Sequence, residues 1–389
     1  MKFLKKGLVL LLLILTTISF SGELERFLYN FTPENMLESE SDEMKYMGHL
    51  LVKWQSGFEY IKNPNELDLN FTEDEQAVIN FIEGLEEFVF IAPLKELEQM
   101  KEEYSDSLIF NAFYLFFGSE YWKETKDPSY AVKMFDAAEK IEKMVGERVP
   151  LTIYYDSYIA WNSRLYSDRD RAFEDIKYGF LNYEKEKTII ELYITISYAY
   201  DYFEYLDISY EKYMSFDKKD FNIILTLADS YRSVGNIQKS KNIAQYIINN
   251  SDSTFSRRDA FEILGDLSET YEDKIEYYKK ASSLDPENWL LLKKLGMAYY
   301  NQDPDENAQL ARVMLNMSVT QNPNQPEVEL VLDELRKKVI IHNLVNYVLP
   351  IAAIFALGIF LLLRYEKKKK KKEKDMIYHE SRNDHNDHE

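Results

Sequence analysis

Amphipathic segments with a helical period occur in pairs along much of this chain, and this pairing constrains the fold more than any other feature. In residues 285–300 (DPENWLLLKKLGMAYY), Leu292, Leu295, Gly296 and Tyr299 fall on one helical face. A glycine inside a helix is unfavourable, so Gly296 indicates a position where a second helix approaches closely. The pattern therefore predicts an all-α protein built from closely packed helices.

Several helix starts are also visible in the sequence. We predict that Asp285 caps the helix of residues 285–300 and that Pro286 occupies its first position, where the missing N–H costs nothing. Residues 274–283 (KIEYYKKASS) form a second amphipathic segment just before it. Further upstream, Thr72 opens a capping box at the start of another predicted helix.

The paired segments recur with a regular spacing. Leu227, Leu264 and Leu295 occupy equivalent places and are 37 and 31 residues apart. The six predicted pairs are 108–125 with a helix that opens at Asp127 and Pro128, 151–166 with 171–183, 188–205 with 208–216, 221–234 with 237–249, 261–268 with 274–283, and 289–301 with 308–321.

This pattern resembles the tetratricopeptide repeat (TPR) family. In that family a Leu-Gly pair and a tyrosine in the first helix of each pair are followed by small and aromatic residues in the second. Ala131, Phe135 and Ala138 reproduce the second-helix pattern. The resemblance covers about residues 107–323 and implies a solenoid of helical hairpins. Residues 22–106 lack the Leu-Gly pattern, so we predict a helical region that caps the array.

The charge of the chain is unevenly distributed. The 389 residues carry a net charge of −20, and lysine and arginine are concentrated near the two ends. An acidic surface argues against nucleic acid as a partner, because phosphate backbones attract the opposite charge. We interpret it as a solvated surface that keeps the protein soluble. The chain has no cysteine, which excludes disulfides, thiolate metal sites and thiol catalysis.

The N-terminus has the organisation of a secretory signal peptide. Three lysines precede an apolar run at residues 7–15, and Ser19 and Ser21 supply small residues at the spacing that a signal peptidase recognises. We predict that residues 1–21 are removed by cleavage before Gly22. The alternative is an N-terminal anchor that is not cleaved.

Near the C-terminus, residues 345–363 (VNYVLPIAAIFALGIFLLL) form a run of nineteen residues without a charge. At ~1.5 Å per residue this run spans the hydrocarbon core of a bilayer. Six consecutive lysines, 367–372, come soon after it, which is typical of a stop-transfer signal on the cytoplasmic side. Pro350 is predicted to kink the span. We expect a juxtamembrane helix at residues 324–344 and, beyond the span, a disordered cytoplasmic tail at residues 364–389.

No constellation of catalytic residues is apparent in the sequence. The chain has only five histidines, and the three in the C-terminal tail, His379, His385 and His388, are interpreted as part of a disordered polar segment and not as metal ligands. The twelve glycines form no phosphate-binding loop, and neither G-x-S-x-G nor H-E-x-x-H occurs. With 67 acidic residues, no single pair of carboxylates is informative. We therefore predict a protein that is not an enzyme, with no catalytic residue, no cofactor and no metal site.

The resemblance to the TPR family implies a concave groove lined by the first helix of each pair. A subclass that clamps a C-terminal carboxylate uses paired lysine and asparagine there. In this chain Lys293 fits that pattern and Met297 replaces the asparagine, which favours a mixed groove for a peptide or protein surface. The candidate partner-binding residues are Asn222, Asp229 and Arg232 in the fourth pair and Lys293, Met297, Tyr300 and Asn301 in the sixth.

The third pair is rich in tyrosine, with residues 198, 200, 202, 205, 210 and 213 all of this type. Two interpretations remain open. These side chains either fill the space between helices or form an aromatic groove that presents a rigid contact surface to a partner.

Taken together, these features predict an exported single-pass membrane protein whose bulk lies outside the cytoplasm. Its expected role is a scaffold for protein or peptide partners in the bacterial cell envelope. One alternative is a cell-wall enzyme that uses a helical superhelix as a platform. That enzyme would need a separate catalytic domain, for which only residues 22–106 are long enough. Another alternative is a structural spacer without a ligand.

Overall fold

The computed structural model describes residues 23–57, 61, 67–85 and 94–383. Within these ranges all regular structure is helical, in agreement with the predicted all-α class. The predicted signal peptide, residues 1–21, lies outside the described residues. The chain divides into two compact units, Met1–Val234 and Gly235–Glu389.

The described part of the first unit begins with a 3₁₀ helix, Glu23–Leu28, and continues with eleven α-helices. They are α1 (Pro33–Leu37), α2 (Asp42–Ser56), α3 (Glu73–Glu83), α4 (Leu94–Glu103), α5 (Leu108–Thr125), α6 (Pro128–Val145), α7 (Pro150–Asn162), α8 (Arg169–Asn182), α9 (Lys187–Ala199), α10 (Leu206–Met214) and α11 (Phe221–Ser233).

From α5 onward, the first unit has the arrangement expected of stacked helical hairpins. Helix α5 packs on α6, α7 on α8, and α9 on α10. The first helices of successive hairpins also contact one another, in the series α5, α7, α9 and α11. Each hairpin therefore buries its apolar side against its sequence neighbours, which is how a repeat array forms a continuous core.

The N-terminal helices of the first unit cover one side of α5. Trp54 of α2 and Phe81 of α3 both pack edge-on against Phe117, with ring centroids 5.2 Å and 5.5 Å apart. Phe27 of the 3₁₀ helix stacks on Phe113 at 4.3 Å. Helix α5 is consequently buried over most of its circumference, with every residue from Ile109 to Ser119 buried.

The second unit contains seven described α-helices and one π-helical turn. Each of its helices up to α17 packs on the next one along the chain. They are α12 (Ile237–Asn250), α13 (Thr254–Asp266), α14 (Tyr271–Leu284), α15 (Trp289–Gln302), α16 (Ala308–Gln321), α17 (Pro326–Asn343), the π-helical turn Leu344–Val348, and α18 (Leu349–Asn383).

Gly296 allows the close approach between helices that the sequence indicates. A Cβ atom at this position would lie 2.7 Å from the Cγ and Cδ2 atoms of Leu315 and 3.2 Å from its backbone nitrogen. Leu315 belongs to α16, so the glycine brings the two helices of the last hairpin together. Gly265 of α13 has the same role, because a Cβ there would lie 2.5 Å from the ring of Tyr278 in α14.

Two of the predicted helix caps have different outcomes. The capping box at Thr72 is confirmed: Thr72 Oγ1 accepts a hydrogen bond from Glu75 N, and Glu75 Oε2 accepts one from Thr72 N. The predicted cap at Asp285 is wrong. Asp285 comes directly after the end of α14, and α15 is capped by Asn288, whose Oδ1 accepts from Leu290 N at 3.1 Å.

Some helix boundaries differ from the predicted ones for identifiable reasons. Apolar residues with a helical period, among them Met47, Leu51 and Trp54, predict a helix at residues 43–61. The helix ends at Ser56, because Gly57 adopts a left-handed conformation with φ 66°. The helix predicted at 261–268 begins earlier, at Thr254, where Ser253 provides the cap. Its first turns are polar, so apolar periodicity could not reveal them.

One helix of the described part is long and apolar enough to cross a membrane, Leu344–Lys372, and its apolar window is not buried against the rest of the protein. This apolar helix consists of the π-helical turn and the first part of α18, and it contains the predicted span, residues 345–363. The π-helical turn lies just before Pro350, whose ring and missing N–H disturb the preceding backbone hydrogen bonds. Beyond the span, α18 continues to Asn383 where the sequence predicts a disordered tail. Lysine and glutamate favour continuation of a helix that has already formed.

Candidate functional site

The seven predicted partner-binding residues fall into two sets, one in each unit. In the first unit, Asn222, Asp229 and Arg232 all lie on α11. Asp220 caps this helix by accepting a hydrogen bond from Asn222 N at 2.8 Å. The Asn222 side chain is exposed in the first turn. Arg232 forms an ion pair with Asp229 one turn earlier, with 2.8 Å between the charged atoms.

Tyr198 of α9 joins these charged residues. Burial raises the pKa of Tyr198, the Asp229 carboxylate raises it further, and Arg232 lowers it. The phenol is therefore within electrostatic reach of both side chains. We call the surface formed by Tyr198, Asn222, Asp229 and Arg232 the α9–α11 face. It combines an aromatic ring, an amide and both charges, so it is suited to a polar peptide segment.

The corresponding region of α5 and α7 has a different character. Lys123 lies 5.3 Å, 5.0 Å and 4.9 Å from the ring centroids of Tyr154, Tyr155 and Tyr158 and pairs with Glu120 at 2.7 Å. Burial lowers the pKa of Lys123, but the Glu120 carboxylate and the tyrosine hydroxyls outweigh burial and leave that pKa above its usual value. The lysine is thus held as a cation by its own neighbours.

The N-terminal segment of the chain covers part of this region. Phe31 lies 5.3 Å from the ring of Tyr154 and 5.9 Å from that of Tyr155. The Tyr29 hydroxyl donates a hydrogen bond to Glu147 Oε1 at 2.9 Å. These contacts join segments more than a hundred residues apart, and helical periodicity gave no indication of them. The surface at α7 is consequently occupied by the protein itself.

In the second unit, α17 packs against the predicted residues of α15. Lys293 forms an ion pair with Glu327, and the Tyr300 hydroxyl donates to Glu334 Oε2 at 2.7 Å. Met297 and Tyr300 are partly buried against the hydrophobic cluster to which α17 contributes. Asn301 remains exposed. A partner that binds at this position would meet α17 before it reached most of these side chains.

Lys294, which the sequence analysis did not single out, makes stronger contacts than Lys293. Its ammonium group lies 2.7 Å from Glu262 and 2.7 Å from Asp266, both on α13. The i, i+4 spacing of these two acids was a usable signal, because it places them on one helical face. Lys294 therefore links the first helices of two successive hairpins.

Two of the six tyrosines of the third hairpin serve as packing residues. Tyr213 is fully buried, and its hydroxyl donates to Glu191 Oε1 at 2.9 Å and accepts from Asp220 N at 2.7 Å. Tyr200 stacks on Phe173 with ring centroids 5.0 Å apart. Of the two interpretations of the tyrosine-rich sequence, inter-helix packing thus accounts for these two side chains. Tyr198 belongs instead to the α9–α11 face.

Glu186, directly before the first residue of α9, has a buried carboxylate oxygen that the sequence analysis missed. Its Oε2 atom has no hydrogen-bond partner among the described residues. Burial raises the pKa of Glu186 to about 7. This residue therefore changes its charge near neutral pH. In the described part of the chain, no group of three or more histidine, aspartate or glutamate side chains could hold a metal ion.

Comparisons with known proteins give similarities to solved structures only. The sequence matches no protein-family model and no curated protein. Among solved structures, the chain is similar to YrrB, described as a TPR protein with an unusual peptide-binding site. The TM-score is 0.35 and the sequence identity 11%, over 57% of this chain and 97% of the YrrB chain. A similarity of this size carries no inference about function.

Proposed function

We propose that this chain is an exported, membrane-tethered, TPR-like scaffold that binds protein or peptide partners outside the cytoplasm. The observation that carries the proposal is the position of Leu344–Lys372. This apolar helix is exposed and comes directly after α17, which follows a series of helical hairpins. A fully exposed apolar helix of this length is stable in a bilayer, whereas in water its apolar surface favours aggregation.

The α9–α11 face is the partner surface that we favour. Asn222 is exposed there, and the Asp229–Arg232 pair is only partly buried. In contrast, the candidate residues Lys293 and Tyr300 have partners on α17. The mixture of charges favours an extended polar segment over a purely apolar ligand.

The orientation is inferred from the charge distribution. Lysines at 367–372 come after the apolar run, and basic residues mark the cytoplasmic side of a span. The hairpins then lie on the outer side. Binding there would rest on shape and charge complementarity over several helices, and no chemical step is required.

Protease protection tests this arrangement. The full-length chain carries one epitope tag after Glu389 and is expressed in its native cell type or in a bacterial host. Protease added to intact cells or spheroplasts should remove the hairpins and leave a short tagged fragment. A hairpin region that resists protease until the membrane is permeabilised would contradict the proposal. A tag lost in intact cells would contradict the predicted orientation.

A further inference from the structure

A cavity of about 910 Å³ lies in the second unit, where the last hairpin meets the start of the apolar helix. The connection between α15 and α16 contributes Glu306, and α16 contributes Arg312. Lys338 and Ile341 of α17 form the opposite side, and Val345 of the π-helical turn closes the lower edge. This volume is within the usual range for small-ligand sites.

Two opposite charges in this cavity lack an ionic partner. Lys338 pairs with Asp305 at 3.0 Å and with Glu334 at 3.6 Å, so its charge is already compensated. Among the described residues, neither Arg312 nor Glu306 forms an ion pair. The lining therefore presents one guanidinium and one carboxylate to whatever enters. A ligand with both a negative and a positive group would match them.

The position of the cavity relative to the apolar helix limits the choice of ligand. The apolar helix begins at Leu344. Lys338 comes six residues before Leu344, so at ~1.5 Å per residue it lies about 9 Å outside the hydrocarbon along the helix axis. Headgroups and interfacial water occupy roughly 5–8 Å on each side of the hydrocarbon core. Ile341 and Val345 thus lie near the edge of the hydrocarbon, and Lys338 lies at the outer limit of the headgroup layer.

We propose that this cavity binds the headgroup of a phospholipid that carries a phosphate and a primary amine. Arg312 binds the phosphate, because its planar guanidinium can donate two parallel hydrogen bonds to phosphate oxygens. Glu306 accepts hydrogen bonds from the ammonium group. Ile341 and Val345 contact the first carbons of the acyl chains. The inference rests on the proposed membrane tether and adds a specific lipid to it.

The surrounding charges favour this zwitterionic headgroup over a purely anionic one. Asp305 and Glu306 both line the cavity, and Glu334 is held nearby by Lys338. These three carboxylates outnumber Lys338 and Arg312 by one, so the net negative charge of the region disfavours an anionic headgroup that lacks an amine. A trimethylated amine carries the positive charge but cannot donate a hydrogen bond to Glu306, so it binds more weakly than a primary amine.

Native mass spectrometry of the full-length protein in detergent tests the proposal. The protein is titrated separately with phosphatidylethanolamine, phosphatidylglycerol and phosphatidylcholine. We expect phosphatidylethanolamine to bind about tenfold more tightly than the other two, as one charge-assisted pair would provide. Arg312→Glu should abolish this preference and most of the binding. Glu306→Gln should remove the preference for ethanolamine over choline and keep phosphate binding.

Matched controls separate the cavity from general charge effects. Arg336→Glu makes the same change in charge on α17, where Arg336 is exposed and pairs with Asp333, and it should bind lipid like the unmodified protein. Gln309→Trp fills the cavity without changing its charge and should weaken binding of phosphatidylethanolamine. Soluble phosphoethanolamine at the same concentration should not compete, because it lacks the acyl chains.

Equal binding of the three lipids, or unchanged binding by Arg312→Glu, would overturn the inference. Full competition by soluble phosphoethanolamine would overturn the assignment to a membrane lipid. Membrane fractionation of the same variants distinguishes this failure from failure of the proposed function. A protein that partitions into membranes without a lipid preference refutes only the cavity inference, whereas a protein that remains soluble refutes the tether.

Discussion

Helices α11 and α15 are the first helices of their predicted hairpins, yet their candidate residues have different surroundings. On α11, Arg232 pairs with Asp229 of the same helix, and the charges of both shift the pKa of Tyr198 on the neighbouring first helix. On α15, Lys293 and Tyr300 find their partners on α17. The same predicted register therefore produces one surface that is partly exposed and one that another helix covers.

The difference arises from the helix that comes after the last hairpin. Glu327 and Glu334 of α17 are seven residues apart and reach Lys293 and Tyr300, which are also seven residues apart. Val328, Leu332 and Leu335 of α17 are buried in the same cluster as α15. Helix α17 thus closes the array on this side. A repeat pattern shows which residues share a face, and only the packed structure shows whether that face is covered.

The largest expected effect comes from weakening the attachment of α17. Leu332 is 3% exposed, so Leu332→Ala leaves a cavity and should cost about 3 kcal/mol in the stability of the second unit. Leu330, on the same helix, is 75% exposed, and Leu330→Ala should change stability little. Denaturant unfolding of the detergent-solubilised protein measures both. Equal stability of the two variants would show that α17 does not close the array.

A second test compares close helix packing in the two units. Gly296→Ala places a methyl group 2.7 Å from the branched end of Leu315 and 3.2 Å from its backbone, so we expect a loss of about 2 kcal/mol. Gly118→Ala meets the flexible end of Met134, which can move aside, and the better helix propensity of alanine offsets part of the strain. In thermal unfolding, the melting temperature of Gly296→Ala should be well below that of Gly118→Ala. The reverse order would contradict the packing of α15 on α16.

The third prediction concerns the start of α9 and depends on pH. Burial raises the pKa of Glu186 to about 7 from its usual value of 4.5. Well below pH 4.5 the Glu186 carboxyl is protonated in both the folded and the unfolded state, so it does not lower the free energy of unfolding. Between pH 4.5 and about 7 the folded state holds the proton more tightly, so stability falls as pH rises. Above about pH 7 the carboxylate is charged in both states, and the loss of stability from burying this charge reaches its maximum.

Glu186→Gln should therefore stabilise the first unit by about 3 kcal/mol near pH 8 and by almost nothing near pH 4. Glu184→Gln, at an exposed neighbouring position, should show no gain that depends on pH. Unfolding curves across this pH range provide the measurement. A gain for Glu186→Gln that stays constant over the whole range would contradict the buried carboxylate.

The smallest expected effect distinguishes two adjacent lysines of α15. Lys294→Ala should cost about 1 kcal/mol, because it removes the ammonium group that Glu262 and Asp266 of α13 share. Lys293→Ala should cost less, since its partner Glu327 is more than half exposed. Denaturant midpoints of the two variants, measured in low salt, decide the order. A larger loss for Lys293→Ala would show that α17, and not α13, holds this helix by charge.

The sequence was informative where structure is local. Apolar periodicity and caps such as Thr72 placed most helices, and Gly296 marked a real close approach. The error at Asp285 was also local, since two good capping residues lie three positions apart and the chain uses Asn288. Of the site, the sequence suggested which residues share a helix. It could not show that α17 covers α15, because that contact depends on tertiary packing.

Photocrosslinking in intact cells tests the partner surface most directly. A photoreactive amino acid at Asn222, on the α9–α11 face, is compared with one at Asn182, an exposed asparagine of α8 in the same unit. We predict a discrete crosslinked species from position 222 that is absent from position 182. Adding Arg232→Glu should remove it while the helix content stays unchanged. Crosslinks of equal yield at both positions, or a product that Arg232→Glu leaves intact, would contradict the scaffold role of this face.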